Sequence, residues 1–188
     1  PYNTPRHAPS FSRESNNNND DGSSAAFLGV TSHPPSQSIR VVSYNVLIPK
    51  RKDTFPFDWD SRAIHILANL RSLQPSIICL QESSTRALQS LLPGLGPQWQ
   101  SVGVRRARKG NDEAVHILVD TSVFQIVASN TYLLTDTPYG PVPCPDERGC
   151  EGTTSFRGVQ DRWPRIFTWA RLIYRASRET IDVVNTHL

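Results

Sequence analysis

From residue 39 onward the chain alternates short apolar runs with amphipathic stretches, and this alternation predicts strands and helices in turn. Residues 39–46 read as a strand. Asp60-Ser61 offers a cap for a helix carrying Ile64, Leu67, Leu70 and Leu73 at near-helical spacing. Gln74-Pro75 ends that helix, because proline disfavours helical geometry in the residue before it. Residues 77–81 form a short apolar run, the pattern of a strand buried on both faces. Ser83-Ser84 caps a second helix that runs through Leu92 and is terminated by Pro93-Gly94. Short strands are expected at 100–104, 114–119, 123–128 and 132–134, then a long Pro- and Gly-rich loop over 138–163. Residues 166–174 and 180–188 pair as a hairpin across Ala176-Ser177-Arg178-Glu179. Helices early and strand pairs late predict an α/β sheet sandwich covered by helices, with no internal repeat.

Residues 1–38 stand apart. Asn16 to Asn19, Asp20, Asp21, Ser23 and Ser24 follow one another, with Pro5, Pro9, Pro34 and Pro35 around them. Such a stretch cannot bury enough apolar surface to offset the entropy of ordering it, and disorder is expected. The folded part is read as 39–188.

Composition narrows the class only a little. A chain of 188 residues with 37% hydrophobic and 9% aromatic content suits a soluble domain, or part of a larger one, and no apolar run reaches membrane-spanning length. The net charge of +3 permits a polyanionic substrate without demanding one. No methionine and no signal-peptide pattern opens the chain, which leaves a secreted and a cytoplasmic location both open. A monomer is expected. Cys79 lies in an apolar strand and reads as a small buried hydrophobe, whereas Cys144 and Cys150 either close a short disulfide or remain two free thiols.

Three of the expected strands deliver a useful group at their carboxyl ends: Asn45, Glu82 after Gln81, and His187. A carboxylate between a buried strand and a helix can hold a hard divalent cation, since Mg²⁺ takes few protein oxygens and keeps several waters. Taken alone, Glu82 equally favours the positive end of the following helix dipole. Asn45 can orient Glu82, bind a phosphoryl oxygen, or simply form a turn. His187 can donate to a phosphoryl oxygen or move a proton, or be an ordinary partly buried histidine. Glu113 can hold the imidazole of His187, or be a solvated charge at a strand start.

Together these residues carry more than each does alone. Strand-Tyr44-Asn45, strand-Gln81-Glu82 and strand-Asn185-Thr186-His187, in this order, resemble the endonuclease/exonuclease/phosphatase superfamily of DNase I-like hydrolases. Trp59-Asp60-Ser61-Arg62, the segment from Leu73 to Ile78, Glu113 to Asp120, Leu134 to Pro138, and Trp163-Pro164-Arg165-Ile166 extend the likeness across nearly all of 39–188. The resemblance implies a DNase I-like four-layer sandwich, two packed mixed sheets flanked by helices, with the site at one edge. It implies that Mg²⁺ or Mn²⁺ polarises a phosphoryl group for attack by water. By position, Glu82 would bind the metal and Asn45 would order the metal or phosphate. His187 would contact the phosphoryl oxygen or leaving group with Glu113 supporting it, and Arg165 would set a positive charge near the scissile group.

Two further motifs of that superfamily, an Asp-x-Asn and a closing Asp-His, are not found up to Leu188. The expectation is therefore an amino-terminal portion of the domain, truncated at its C-terminal part and inactive by itself. Asn111-Asp112-Glu113 departs from the usual Gly-Glu, and Tyr44-Asn45-Val46-Leu47 resembles the deadenylase branch, which keeps a 3'-5' exoribonuclease in view. Basic clusters at Lys50-Arg51-Lys52 and at Arg105-Arg106 with Arg108-Lys109 can track a phosphate backbone or be solvated loops. The leading expectation is a metal-dependent phosphodiesterase, foremost a nuclease acting on nucleic acid. A lipid or small phosphoester substrate, and a non-catalytic binding module of the same fold, are the alternatives.

Overall fold

Ten strands and two helices are seen in the computed structural model, which describes residues 38–50, 53–106, 113–134, 142–143, 155–156, 159–160 and 165–188. Residues 1–37, Arg51-Lys52, Arg108-Lys109, Cys144 and Cys150 lie outside the described residues, and with them the expectations about disorder and a disulfide.

The first helix, α1 (Trp59–Leu73), begins two residues earlier than the sequence suggests. Asp58 is its cap, its carboxylate accepting from the Ser61 amide at 3.0 Å and the Ser61 hydroxyl at 2.9 Å. Asp60 instead lies in the first turn, where a negative charge suits the helix dipole. The earlier start brings the Trp59 ring into the core, and the buried stripe becomes Trp59, Ala63, Ile66 and Leu70. Ile64 and Leu73 fall off that stripe and are 68% and 48% exposed. Gln74 closes the helix in the left-handed region.

Helix α2 (Thr85–Leu95) is capped by Ser84 as expected, the side chain accepting from Ala87 N at 3.2 Å. It runs past Pro93 and ends at Gly96, whose φ of 120° suits only glycine well. A proline in the last turn forfeits one backbone bond without stopping the helix.

One sheet is mixed, with order β1-β2-β4-β3, and the other is antiparallel, with order β10-β9-β5-β6. In the first, β1 (Val41–Asn45) runs parallel to β2 (Ile77–Gln81), and β4 (Ile117–Asp120) joins β2 to β3 (Trp99–Val102) in antiparallel register. In the second, β5 (Phe124–Leu133) pairs with β6 (Val142–Pro143) on one side and with β9 (Ile166–Tyr174) on the other. Two short strands, β7 (Ser155–Phe156) and β8 (Val159–Gln160), form a separate pair. The expected hairpin is present as β9 and β10 (Thr180–Thr186). The two strands expected at 123–128 and 132–134 are a single strand, β5, because pairing along β9 carries the backbone bonds straight across Ser129-Asn130. A register shift between Ile126 and Ala128 absorbs one extra residue.

Burial explains the layering. Ile78, Leu80 and Leu118 point to the helices and pack with Trp59, Ile66, Leu70 and Leu91. The alternate residues Ile77, Cys79, Ile117 and Val119 face the other sheet and meet Phe124, Ala170 and Leu172. The period of two thus assigns each residue of β2 to one layer or the other. Helices on one sheet and a second sheet beneath it make three layers of the expected sandwich among the described residues.

Candidate active site

Parallel pairing of Asn45 with Gln81 brings the carboxyl ends of β1 and β2 side by side. The chain then turns at each through a left-handed residue, Leu47 (φ 54°) and Glu82 (φ 51°), neither of them glycine. Such a backbone costs about 1–2 kcal/mol per residue for a side chain with a Cβ. Hydrogen bonds hold the first of these turns. Leu47 N donates to Asn45 Oδ1 at 2.9 Å, and Arg62 Nη1 donates to the carbonyls of Val46 at 2.6 Å and Leu47 at 2.9 Å.

Within this frame the Glu82 carboxylate is gripped on both oxygens. Asn45 Nδ2 donates to Oε1 at 3.0 Å and Ile48 N donates to Oε2 at 3.3 Å. Partial burial pushes its carboxyl up, but these two hydrogen bonds and the positive charges of His187 and Lys50 outweigh that and hold it below the usual carboxylate range. Glu82 therefore stays ionised as a ready oxygen ligand. Asn45 Nδ2 orients it, while Asn45 Oδ1 accepts from Leu47 N and keeps a second lone pair that could meet a cation.

From the second sheet β10 brings His187 to the same end. Its Nδ1 lies 3.7 Å from Glu113 Oε1. Glu113 stands just before β4 and is buried, and Arg106 approaches its other oxygen at 2.7 Å. Ala114 anchors this segment by bridging to Ser83 and to Arg105. Arg165 directly precedes β9, and its carbonyl accepts from Leu134 N at 2.8 Å. Because β9 and β10 are antiparallel, with Phe167 opposite Thr186, Arg165 falls at the same end of the sheet as His187.

The structure thus gathers Asn45 and Glu82 at one strand pair, His187 and Glu113 at a second point, and Arg165 at the same sheet end. Sequence reasoning missed Arg106, placed in a basic loop that tracks phosphate or is merely solvated. Its side chain is only 11% exposed because it is drawn onto Glu113. It also missed the buried contact of Ser83 Oγ with His116 Nδ1 at 2.6 Å, beneath Glu82. The polar Ser83 and His116, adjoining runs otherwise apolar, were the available signal.

No cluster of three or more His, Cys, Asp or Glu stands ready for a metal among the described residues. The donors present, one fixed carboxylate beside an amide, fit a hard cation that keeps most of its waters, and not a thiolate- or imidazole-rich cage.

The sequence matches the model of the endonuclease/exonuclease/phosphatase family over residues 42–185. Among solved structures, the fold is similar to an endonuclease/exonuclease/phosphatase from Bacteroides vulgatus (24% identity, TM-score 0.62, 80% of this chain and 52% of that one). It is also similar to a mannosyl-6-phosphatase of Bacteroides thetaiotaomicron (23%, 0.61, 80% and 52%). A third similar structure is the human nocturnin catalytic domain with bound sulfate (20%, 0.56, 80% and 49%). These likenesses concern the fold, and the chain spans about half the length of the structures it matches. No curated protein matches it in sequence.

Proposed function

Since the chain belongs to the endonuclease/exonuclease/phosphatase family, hydrolases of phosphoester bonds that generally use divalent metals, we propose that it contributes to a metal-dependent phosphodiester hydrolase. The observation that carries this reading is the Glu82 carboxylate, fixed on both oxygens and kept ionised at a strand end that faces His187.

Glu82 would hold Mg²⁺ or Mn²⁺, with Asn45 fixing the rotamer of the carboxylate. The bound cation would polarise the phosphoryl group and offset charge developing on its oxygens. With Nδ1 turned to Glu113, His187 presents Nε2 to the substrate. In its imidazolium form that nitrogen donates to a phosphoryl oxygen, and Glu113 stabilises the charge and the ring orientation. Arg106 keeps Glu113 in place. Arg165 supplies a fixed cation toward the scissile group.

A nucleic acid is the preferred substrate. Lys50 beside Glu82, and Arg105 bridged to Ala114, set positive charge on both flanks of the site. The likeness to a mannosyl-6-phosphatase supports a small phosphoester as the second reading. An exoribonuclease of the deadenylase type falls within the first.

The test is hydrolysis by the full-length protein of DNA, RNA, a generic phosphodiester and a sugar phosphate, with Mg²⁺ and with chelator. Glu82→Ala should abolish the metal-dependent cleavage and leave the fold intact. Undiminished cleavage by that variant would sink the assignment. Cleavage of the small ester alone would select the second reading. A folded protein that cleaves nothing would point to a binding module.

A further inference from the structure

Two buried carboxamides join the sheets one layer beneath the site. Gln81 Nε2 lies 2.8 Å from Asn185 Oδ1 and 3.1 Å from Ser43 Oγ, with the Cys79 carbonyl at 3.2 Å. Asn185 Nδ2 donates to the carbonyls of Leu80 at 2.8 Å and His116 at 2.9 Å. The exposures are 9% for Gln81 and 3% for Asn185. Two carbonyls face one end of the Asn185 amide, so only its nitrogen can sit there, and its oxygen must turn to Gln81. Every hydrogen-bonding atom of this side chain is therefore committed.

We propose that Ser43, Gln81 and Asn185 form a positioning clamp that sets the separation of Glu82 from His187. The two site residues belong to different sheets, and the clamp crosses between those sheets. Strand periodicity places it well. Ser43 lies two residues before Asn45 on one face of β1, Asn185 two before His187 at the end of β10, and Gln81 immediately precedes Glu82. Deeper between the sheets the layer is apolar, formed by Cys79, Ile117, Ala170 and Leu172, while Thr168, opposite Asn185, and Thr131 make a second buried polar pair beside the clamp. Burying two amides there costs desolvation that aliphatic side chains would avoid. What the amides add is directional: a satisfied polar network fixes one register of β10 against β2, where an apolar contact tolerates sliding. These three residues act through the ones they place.

The inference rests on the reading of Glu82 and His187 as site residues, so the experiment separates the two. In the full-length protein, Asn185→Leu and Gln81→Leu keep approximate volume and break the clamp. At a temperature where each is fully folded, kcat should fall about 100-fold, the scale of an ångström-sized misplacement, with KM and the affinity for Mn²⁺ changed less than about threefold. The double variant should lose little more than either single one, because the two amides act as one unit. Folded single variants with kcat near the parent's, while Glu82→Ala is dead, overturn the clamp. An active Glu82→Ala would instead defeat the underlying site reading. Should the buried variants fail to fold, Ser43→Ala removes one of the three acceptors around Gln81 Nε2 at an exposed position and should lower kcat by about fivefold, with unchanged kcat refuting the three-residue clamp.

Discussion

Asn45→Ala in the full-length protein removes two hydrogen bonds at once, the 3.0 Å bond that steadies Glu82 and the 2.9 Å bond that holds the Leu47 turn. A hydrogen bond to a charged group contributes about 1.5–3 kcal/mol, and solvent access at this strand end reduces that to about 1–1.5 kcal/mol. The second loss compounds the first. Without its acceptor the left-handed Leu47 can relax, and Ile48 N drifts from the other oxygen of Glu82. A loss of about 1.4 kcal/mol is a tenfold change, so the apparent Mg²⁺ affinity should weaken by about tenfold. A pH signature should accompany it. In the parent the Glu82 carboxyl is held below the ordinary range, so the carboxylate proposed to hold the metal survives as pH falls and is lost only through that lowered value. Removing one of the lowering bonds raises the carboxyl, and the acid limb of the metal-dependent rate should move to higher pH. The shift is partial, since Ile48, His187 and Lys50 still act. Rates measured across Mg²⁺ concentration at several pH values read both effects. An unchanged metal affinity with an unchanged acid limb would refute this account of Asn45.

Other perturbations follow from the same geometry. Arg106→Met strips Glu113 of its 2.7 Å partner in a site where both side chains are 11% exposed. Breaking such a pair costs about 3–5 kcal/mol, or about 6–20 °C in the melting temperature at this chain size, and a shift under 2 °C would contradict it. Burial pushes the Cys79 thiol up to about 11, so in the folded protein this cysteine should resist iodoacetamide at neutral pH, and a modified Cys79 peptide in mass spectra would show otherwise. Hydrogen bonds from the Ser61 amide and then the Ser61 hydroxyl hold the Asp58 carboxyl below its ordinary value. Its capping contribution is therefore present above the ordinary carboxylate range and lost as pH falls through the lowered value. The melting difference between the parent and Asp58→Ala should shrink on acidification, and a constant difference would argue against the cap.

Much of this was legible in the residues because it is written locally. The run Ile77-Ile78-Cys79-Leu80 announces a strand buried on both faces, and turn residues on either side leave Glu82 at its half-buried end. The Ser84 cap and the hairpin of β9 with β10 likewise follow from nearest neighbours. What the sequence hid depends on distant pairings. Ile64 and Leu73 satisfy helical spacing as well as Ile66 and Leu70 do, and only the burial of Trp59 selects the stripe. Ser129-Asn130 reads as a turn until β9 is known to run alongside it. Arg106 reads as solvated because Glu113, its partner, lies beyond an intervening basic loop. The Asn185 carboxamide looks like any polar strand residue until its partners, more than a hundred positions earlier in two cases, converge on it.

The left-handed backbone at Glu82 also provides a historical marker. Glycine or asparagine would occupy that conformation at less backbone cost, but neither would reach both Asn45 Nδ2 and Ile48 N as the Glu82 carboxylate does. An acidic residue there carries backbone strain that these two hydrogen bonds offset in part and that the proposed metal-binding role would justify. Descendants released from hydrolysis should drift at this position before their core does, toward the residues the turn prefers. On the proposed role of Glu82, position 82 should sort working enzymes from retired ones among related chains.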